Sequence, residues 1–551
     1  MTAAAPSSST CVGGWSGCEA NDHPHPLIRS PAMLMHRLLT LGAERHPDRP
    51  AFHWVDRDRG LTYAGAVDAM ERMAGALHDA GVGKGDRVTI FAHNGLDYIV
   101  AMLGAWRIGA IAALVNVKFA DELTDYFADH TPSAVVYTHD MAAQVAAACA
   151  ALGTVRVRLC MDGAQDGALS LPEMLAAGLP APPDPGDETA IAHLSYTSGT
   201  TGKPKGACLR HEPTVRASRC IGERLRLRPG DVSFGPSALS SSYQLVANLL
   251  PPLAVGAAIN VMRFWTREGG YDALTARGAT SLVANPPILD DVLQEARRRG
   301  APPPSLRLGI SGGGPVPPTL KAAWRDELGL PLVESYGQSE LGGFVGLGYP
   351  ELEPDNAKLG RVGPPLPDKE VFILGPDDRV LPPGEIGEIA LTGGFMAGYW
   401  GKPDKTEAAT RGGYLRTGDL GLLDAEGCVT LRSRRAELVE VAGRLWYPRD
   451  VEEALSAQPG VAQAALVGVA DPALGQRPVA FAQAQPGAAL DAAALKAAIT
   501  GRVAYDLNPL VLVVVPEMPM TPTGKIAKAD LARSDLARRA AESAAKNAQA
   551  A

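Results

Sequence analysis

The stretch "SYTSGTTGKPKGA", Ser195 to Ala207, holds five serine or threonine hydroxyls, three glycines and two lysines in thirteen residues. It follows the apolar run "AIAHL", whose composition predicts a strand ending where the loop begins. Glycines let successive backbone N–H groups converge on an anion, while Ser, Thr and Lys add donors and charge, so the composition points to a phosphate ligand. The spacing is not that of the usual phosphate-binding loop. The four-residue spacer before Gly-Lys is absent and Pro204 follows the lysine. A solvated surface loop is the alternative for glycine-rich stretches in general, but this density of donors favours phosphate. The loop alone gives a ligand class and not a reaction.

Outward from that loop, helical and strand patterns alternate. "TYAGAVDAMERMAGALHDAG" places Val67, Met70, Met73, Ala74 and Leu77 on one helical face, with Gly81 as its stop. "DRVTIF", "SAVVYT" and "VRVRLCM" read as strands, and a second amphipathic helix is expected around Tyr98, Ile99, Met102, Leu103 and Trp106. This alternation predicts an α/β fold: a large N-terminal domain of subdomains with mainly parallel sheets covered on both faces. A Pro-rich connector, Leu179 to Thr189, precedes the phosphate loop.

The character changes after about Arg434. "PRDVEEALSAQPG" predicts a helix with Pro448 in its first turn and Gly460 past its end. Strands ("AALVGVA", "PVAFAQA"), a helix ("DAAALKAAITGRVA") and a strand ("LVLVVVPE") follow. The expected organisation is a tail at 1–30, a large domain at 31–433, a small mobile α+β lid domain at 434–535 and an Ala-rich tail at 536–551 with no core to serve.

Composition narrows the class. The 551 residues carry a formal charge of -8, with 46% hydrophobic and 20% charged residues, which argues against nucleic acid as the main partner. Seven scattered cysteines form no disulfide framework and favour a reducing compartment. Cys11, Cys18, His23 and His25 lie close together, but their spacing fits no familiar zinc pattern and a flexible tail is the expected reading. No secretory signal is visible, and the longest apolar segment, "AMLGAWRIGAIAALVNV", is interrupted by Arg107. The expected location is cytoplasmic.

Three further stretches carry chemistry. "ESYGQSE", Glu334 to Glu340, sets a carboxylate beside hydroxyls at a strand end, as suits a hard cation that bridges phosphates; a solvated surface acid is the alternative. "YLRTGDLG", Tyr414 to Gly421, sets Asp419 on a Gly-flanked turn, where it could accept from a ribose diol or simply form the turn. "PMTPTGKIAKADL" sets Lys525 on a tight turn after glycine, although a lone lysine is usually a solvated charge.

Taken in order, "SYTSGTTGKPKG", "YGQSE", "YLRTGDLG" and "PTGKI" closely resemble the adenylate-forming superfamily of acyl-CoA synthetases, adenylation domains and luciferases. "SGGGPVPPTL" and "MAGYWGKPDKTEAA" are lesser matches, and the resemblance spans about Pro31 to Ser534. It implies that a small-molecule carboxylic acid attacks ATP to give an acyl adenylate and pyrophosphate, and that coenzyme A then displaces AMP. It implies that Thr197, Ser198, Gly199, Thr200, Thr201, Gly202 and Lys203 hold the β- and γ-phosphates, and that Thr197 and Glu340 hold Mg²⁺. Gly312, Gly313, Gly314 and Tyr336 would form the adenine slot within a nucleotide site that includes Glu334, Ser335, Gly337, Gln338 and Ser339. Asp419 and Arg434 would hold the ribose, and Lys525 would bridge the carboxylate and adenylate oxygens as a catalytic residue beside Glu340 and Thr197. Ala442, Gly443 and Arg444 would line the coenzyme A tunnel, Gly443 because a glycine lets the pantetheine chain pass close to the backbone.

Departures from the pattern are specific. The hinge segment reads "SRRAELVEVAG", with Ser433 in place of glycine and Ala436 at the hinge position. No His lies between Asp231 and Asn260, where a gating His often stands, and Ser339 replaces the commoner Thr. By resemblance the acyl pocket draws on Ser240, Ser241, Tyr243, Pro287, Gly337, Gly342 and Gly343, whose small residues predict a roomy pocket for a bulky aryl, alicyclic or medium-chain acid. Loading of a carrier protein in trans and a non-catalytic nucleotide-binding role are the alternatives. No nucleic acid and no membrane span are expected, and a homodimer stays open.

Overall fold

Short apolar runs separated by helical periods force crossover connections, and these give parallel strands covered by helices. The computed structural model describes residues 33–164, 167–196, 203–314, 316–351, 361–485, 487–521 and 526–550. A seven-stranded sheet runs in the order Leu169–Ser170, Val157–Cys160, Ala134–Tyr137, Arg87–Phe91, Ile111–Leu114, Ile191–Tyr196, Gly206–Arg210. Its pairs are parallel except the last, in which Tyr196 and Gly206 are antiparallel partners. The two ends of the phosphate-loop segment therefore meet.

An eight-stranded sheet is parallel through its middle, from Pro50–Trp54 to Leu332–Gln338, and antiparallel at both edges. A third sheet, built from residues 361–434, is wholly antiparallel. The expectation of mainly parallel sheets holds for the first two only. Residues 439–515 form a fourth sheet, in which Val511–Val515 alone pairs in parallel.

The helix expected before Gly81 spans Tyr63–Asp79, capped by the Thr62 side chain accepting from the Gly65 N–H. Met70, Met73, Ala74 and Leu77 are buried and Val67 packs at the edge of the same core. The second helix, Leu96–Arg107, is not amphipathic in its setting. Every residue from Tyr98 to Trp106 is buried, because the first helix covers its outer side, close enough that a Cβ on Gly104 would lie 2.3 Å from Met73 Cγ. The apolar segment that follows divides into this helix end and the strand Ile111–Leu114, and among the described residues no helix is long and apolar enough to cross a membrane.

In the last quarter the helix Pro448–Ser456 begins at its proline as expected. The helix expected to reach Ala504 stops at Ile499, since Gly501 takes a left-handed φ of 80°. The Ala-rich terminus is a larger correction. Asp535–Ala550 is a helix that does serve a core: Ala537 and Ala541, one turn apart, are buried in a cluster with Val467, Phe481, Met518 and Leu531. Ala537→Asp places an unpaired carboxylate in that cluster, a change of roughly several kcal/mol. It is expected to release the helix so that trypsin cleaves after Arg533 and Arg538, and to lower the unfolding temperature of the small domain, whereas Ser543→Asp on the exposed side changes neither.

Candidate functional site

The antiparallel pairing of Leu415–Leu423 with Val429–Arg434 makes Asp419 and Arg434 direct register partners, although fifteen positions separate them. Arg434 Nε lies 3.4 Å from Asp419 Oδ1. From the neighbouring sheet, the Tyr336 hydroxyl donates to Asp419 Oδ2 at 2.8 Å and Gln338 Nε2 donates to the same oxygen at 2.6 Å. Gln338 also donates to the Thr417 carbonyl at 2.9 Å. Asp419 is only 6% exposed. Burial, and then the charge of Asp419, raise the pKa of Tyr336, so its phenol stays a donor. "ESYGQSE" and "RTGDL" thus converge on one carboxylate.

The glycine segment packs against the same strand, at Ser335. Gly312 packs so closely that a Cβ would sit 2.5 Å from the Tyr243 ring and 2.6 Å from Ser335 Oγ. Gly313 takes φ 82°, and a Cβ on Gly313 or Gly314 would meet open space. The Ser335 hydroxyl donates to the Ser311 carbonyl at 2.9 Å, tying the two strand ends together. Gly337 is likewise a packing glycine, since a Cβ there would lie 2.7 Å from the Gly343 carbonyl oxygen.

Glu334 differs from expectation. Its carboxylate is 5% exposed and is held by Lys321 at 3.2 Å and by Arg449, from the small domain, at 3.3 Å. Arg449 also pairs with Glu453. Burial opposes the Arg449 charge, but Glu453 and Glu334 outweigh it and raise its pKa. The Glu334 side chain is a bridge between the two parts of the chain, so its place in the nucleotide-site reading rests on its backbone.

Glu340 lies on a single helical turn, Ser339–Leu341, after the strand. Its Oε1 accepts from the Tyr399 hydroxyl at 2.8 Å and its carbonyl accepts from the Met396 N–H at 2.7 Å. Ser339 Oγ lies 3.0 Å from Ser242 Oγ. Carboxylate and hydroxyls make an oxygen-only donor set, which suits Mg²⁺. Lys203 is exposed at the start of the described chain beyond the loop. Thr197, Ser198, Gly199, Thr200, Thr201 and Gly202 lie outside the described residues, as does Lys525. The flanks of Lys525 are close, with Met520 and Ile526 in an antiparallel bridge.

The roomy acyl pocket is not borne out at two positions. A Cβ on Gly342 would lie 2.9 Å from Thr214 Oγ1, and one on Gly343 2.7 Å from Ala217 Cβ. These glycines are small because helix His211–Arg224 packs against them, so they open no space. Pro287 is exposed on the first turn of helix Pro286–Arg299. Tyr243 is fixed, its hydroxyl donating to the Ile310 carbonyl at 2.9 Å, and its N–H donates to Ser241 Oγ at 3.3 Å. Ser240 is half-buried beside them.

From Arg434 to Glu437, attachment changes hands within four residues. Arg434 and Arg435 are held by the large part, through Asp419 and through Glu388 at 2.9 Å. Glu437 is held by the small part, through Lys528 at 2.6 Å. Burial works against the Lys528 charge, yet Glu452 at 2.8 Å and Glu437 together keep its pKa raised. Ala436, exposed, lies between the two sets. The loop Ala442–Gly443 joins two short strands with φ of 51° and 77°, so Gly443 answers a turn requirement in this structure, where a Cβ would meet nothing. Arg444 donates to the Ala504 carbonyl at 2.9 Å.

Sequence reading missed Glu388, Lys321, Arg449 and Tyr399. Glu388 also accepts from Arg416 at 3.0 Å and from the Gly418 N–H at 3.3 Å, bracing the Asp419 turn. "MAGYWGKP" was the one available signal, for Tyr399.

Residues 39–400 match the model of the AMP-binding enzyme family and residues 450–525 that of the AMP-binding enzyme C-terminal domain. The chain is 30% identical to the sulfoacetate–CoA ligase of Cupriavidus necator, over 90% of this chain and 96% of that protein. It is 30% identical to a feruloyl-CoA synthase of an Amycolatopsis species, over 86% and 94% respectively. The ATP-bound structure of MatB from Rhodopseudomonas palustris superposes with a TM-score of 0.82 at 27% identity, covering 91% of this chain and 98% of that one.

Asp419→Ala removes the carboxylate and with it the acceptor of the Tyr336 hydroxyl and of one Gln338 N–H, the other N–H keeping the Thr417 carbonyl. It is expected to weaken ATP binding about ten- to a hundredfold, the loss of a charged hydrogen bond of about 1.5–3 kcal/mol, and also to lower the unfolding temperature. Asp419→Asn keeps an acceptor for one donor and should weaken ATP binding with a smaller thermal shift. Calorimetric titration with ATP, beside a thermal melt of each variant, checks both.

Proposed function

Because the chain belongs to the AMP-binding enzyme family, we propose that the residues gathered around Asp419 and Glu340 form its ATP site and that Lys525 completes it. The chain is an AMP-forming acid–CoA ligase. A carboxylate oxygen bonds to the α-phosphorus of ATP as the bond to pyrophosphate breaks. The coenzyme A sulfur then bonds to the acyl carbon, its thiol proton is lost, and AMP leaves. The observation that carries the site assignment is the convergence of Tyr336, Gln338 and Arg434 on the buried Asp419.

In this reading Asp419 and Arg434 take the ribose hydroxyls, and the Tyr336 ring and Gly312–Gly314 bound the adenine. Thr197 to Lys203 hold the β- and γ-phosphates. Glu340, with Thr197, holds Mg²⁺, which supplies charge neutralisation on the phosphate oxygens. Lys525 neutralises charge between the attacking carboxylate and the α-phosphate. The turn Ala442–Arg444 borders the path of the pantetheine arm, and Ala436 is the pivot between the two half-reactions. Ser240 to Tyr243 and Asn285 to Leu289 wall the acid. Since Gly342 and Gly343 open no room, pocket size follows from these walls, with the pinned Tyr243 as the fixed one.

Lys525→Ala separates the steps. Loss of a positioned donor from such a site costs about 10²–10³ in rate, and a full charge more. Acyl-adenylate formation from acid and ATP should nearly vanish, while supplied acyl adenylate should still react with coenzyme A at a near-normal rate in single-turnover assays. Equal loss of both in a folded variant removes Lys525 from the first step. AMP release across small polar, aliphatic and aryl acids, with and without coenzyme A, identifies the acid and the acceptor.

A further inference from the structure

The seven residues Met396 to Lys402 bind the Glu340 turn and the strand after the phosphate-loop segment at once. The Ala397 N–H donates to the Cys208 carbonyl at 2.8 Å, the Cys208 N–H to the Gly398 carbonyl at 2.9 Å, and the Trp400 N–H to the Gly206 carbonyl at 2.9 Å. The segment therefore adds itself as a short extra strand beside Gly206–Arg210. At its start the Met396 N–H donates to the Glu340 carbonyl. At its end Lys402 pairs with Asp129, which accepts from the Tyr196 hydroxyl at 2.9 Å. In between, the Tyr399 N–H donates to Thr406 Oγ1 at 2.9 Å, and the Lys205 ammonium lies 5.7 Å from the Tyr399 ring centroid. Tyr399 is thus fixed through backbone and ring, and its hydroxyl ends on Glu340 Oε1.

We propose that Tyr399 is the positioning residue of the Glu340 carboxylate. Its phenol fixes the rotamer and occupies Oε1, leaving the second oxygen to meet the cation carried by ATP. The inference rests on the reading of Glu340 as a cation ligand. The acceptor separates it from ordinary packing: the bond runs to a carboxylate oxygen, the strong class of hydrogen bond, in the arrangement by which outer partners orient metal-binding carboxylates.

Tyr399→Phe removes the hydroxyl alone and keeps the ring under Lys205. Binding of Mn²⁺, read by electron paramagnetic resonance on the full chain with α,β-methylene-ATP and no acid, should weaken about tenfold. The Mg²⁺ half-saturation in pyrophosphate exchange should rise by a similar factor, while the KM for the acid holds. In a Glu340→Gln background the same change should add little. Wild-type Mn²⁺ affinity in folded Tyr399→Phe overturns the proposal, and so does an equal tenfold loss in both backgrounds, because the phenol would then act elsewhere. If Glu340→Gln alone leaves Mn²⁺ binding unchanged, it is the reading of Glu340 as a ligand that fails, and the proposal falls with it.

Discussion

One buried carboxylate joins two sheets and sets the geometry of everything near it. Asp419 sits on a hairpin of the antiparallel sheet, yet two of its partners, Tyr336 and Gln338, come from the edge of the large parallel sheet. An ionised group removed from water is tolerated only when donors surround it. The sheets are therefore locked in the one relation that delivers those donors. Glu388 repeats the device one layer out, accepting from Arg416, Arg435 and the Gly418 N–H, so that the turn carrying Asp419 is itself held.

Much of this was legible because it is local. The strand before the phosphate loop, the helix ending near Gly81 and the Pro-initiated helix at 448 each declare themselves within a dozen residues. Asp419 and Arg434 were legible as motif residues, and a tight antiparallel pairing is enough to bring them together. Tyr399, Lys321, Arg449 and Glu388 were not. Apart from Glu453, four positions from Arg449, the hydrogen-bond and ion-pair partners described for their side chains lie between 13 and 115 positions away, and a single charged or phenolic side chain leaves no periodic trace.

Two misreadings share a cause. Glycine and alanine have too little side chain to announce what they face. Gly342 and Gly343 read as room for a substrate, but a missing Cβ can equally admit a neighbouring helix, and Thr214 and Ala217 fill the space. The terminal alanines read as a tail with no core to serve. Alanine is both the best helix former and small enough to bury without cost, so Ala537 and Ala541 form a docking stripe that hydropathy barely registers.

The change of attachment across Ala436 also makes its two flanks unequal in their sensitivity to salt. On the upstream side, the Arg434 and Arg435 side chains are 47% and 55% exposed. Downstream, Lys528 is 22% exposed and held by two carboxylates. Mobile ions screen exposed pairs far more than enclosed ones, over a Debye length of roughly 8 Å at physiological ionic strength. Rising ionic strength therefore loosens the upstream anchor first. The Lys528 pairs persist where the Arg434 and Arg435 pairs have weakened, and the electrolyte sets which side of Ala436 is held by charge.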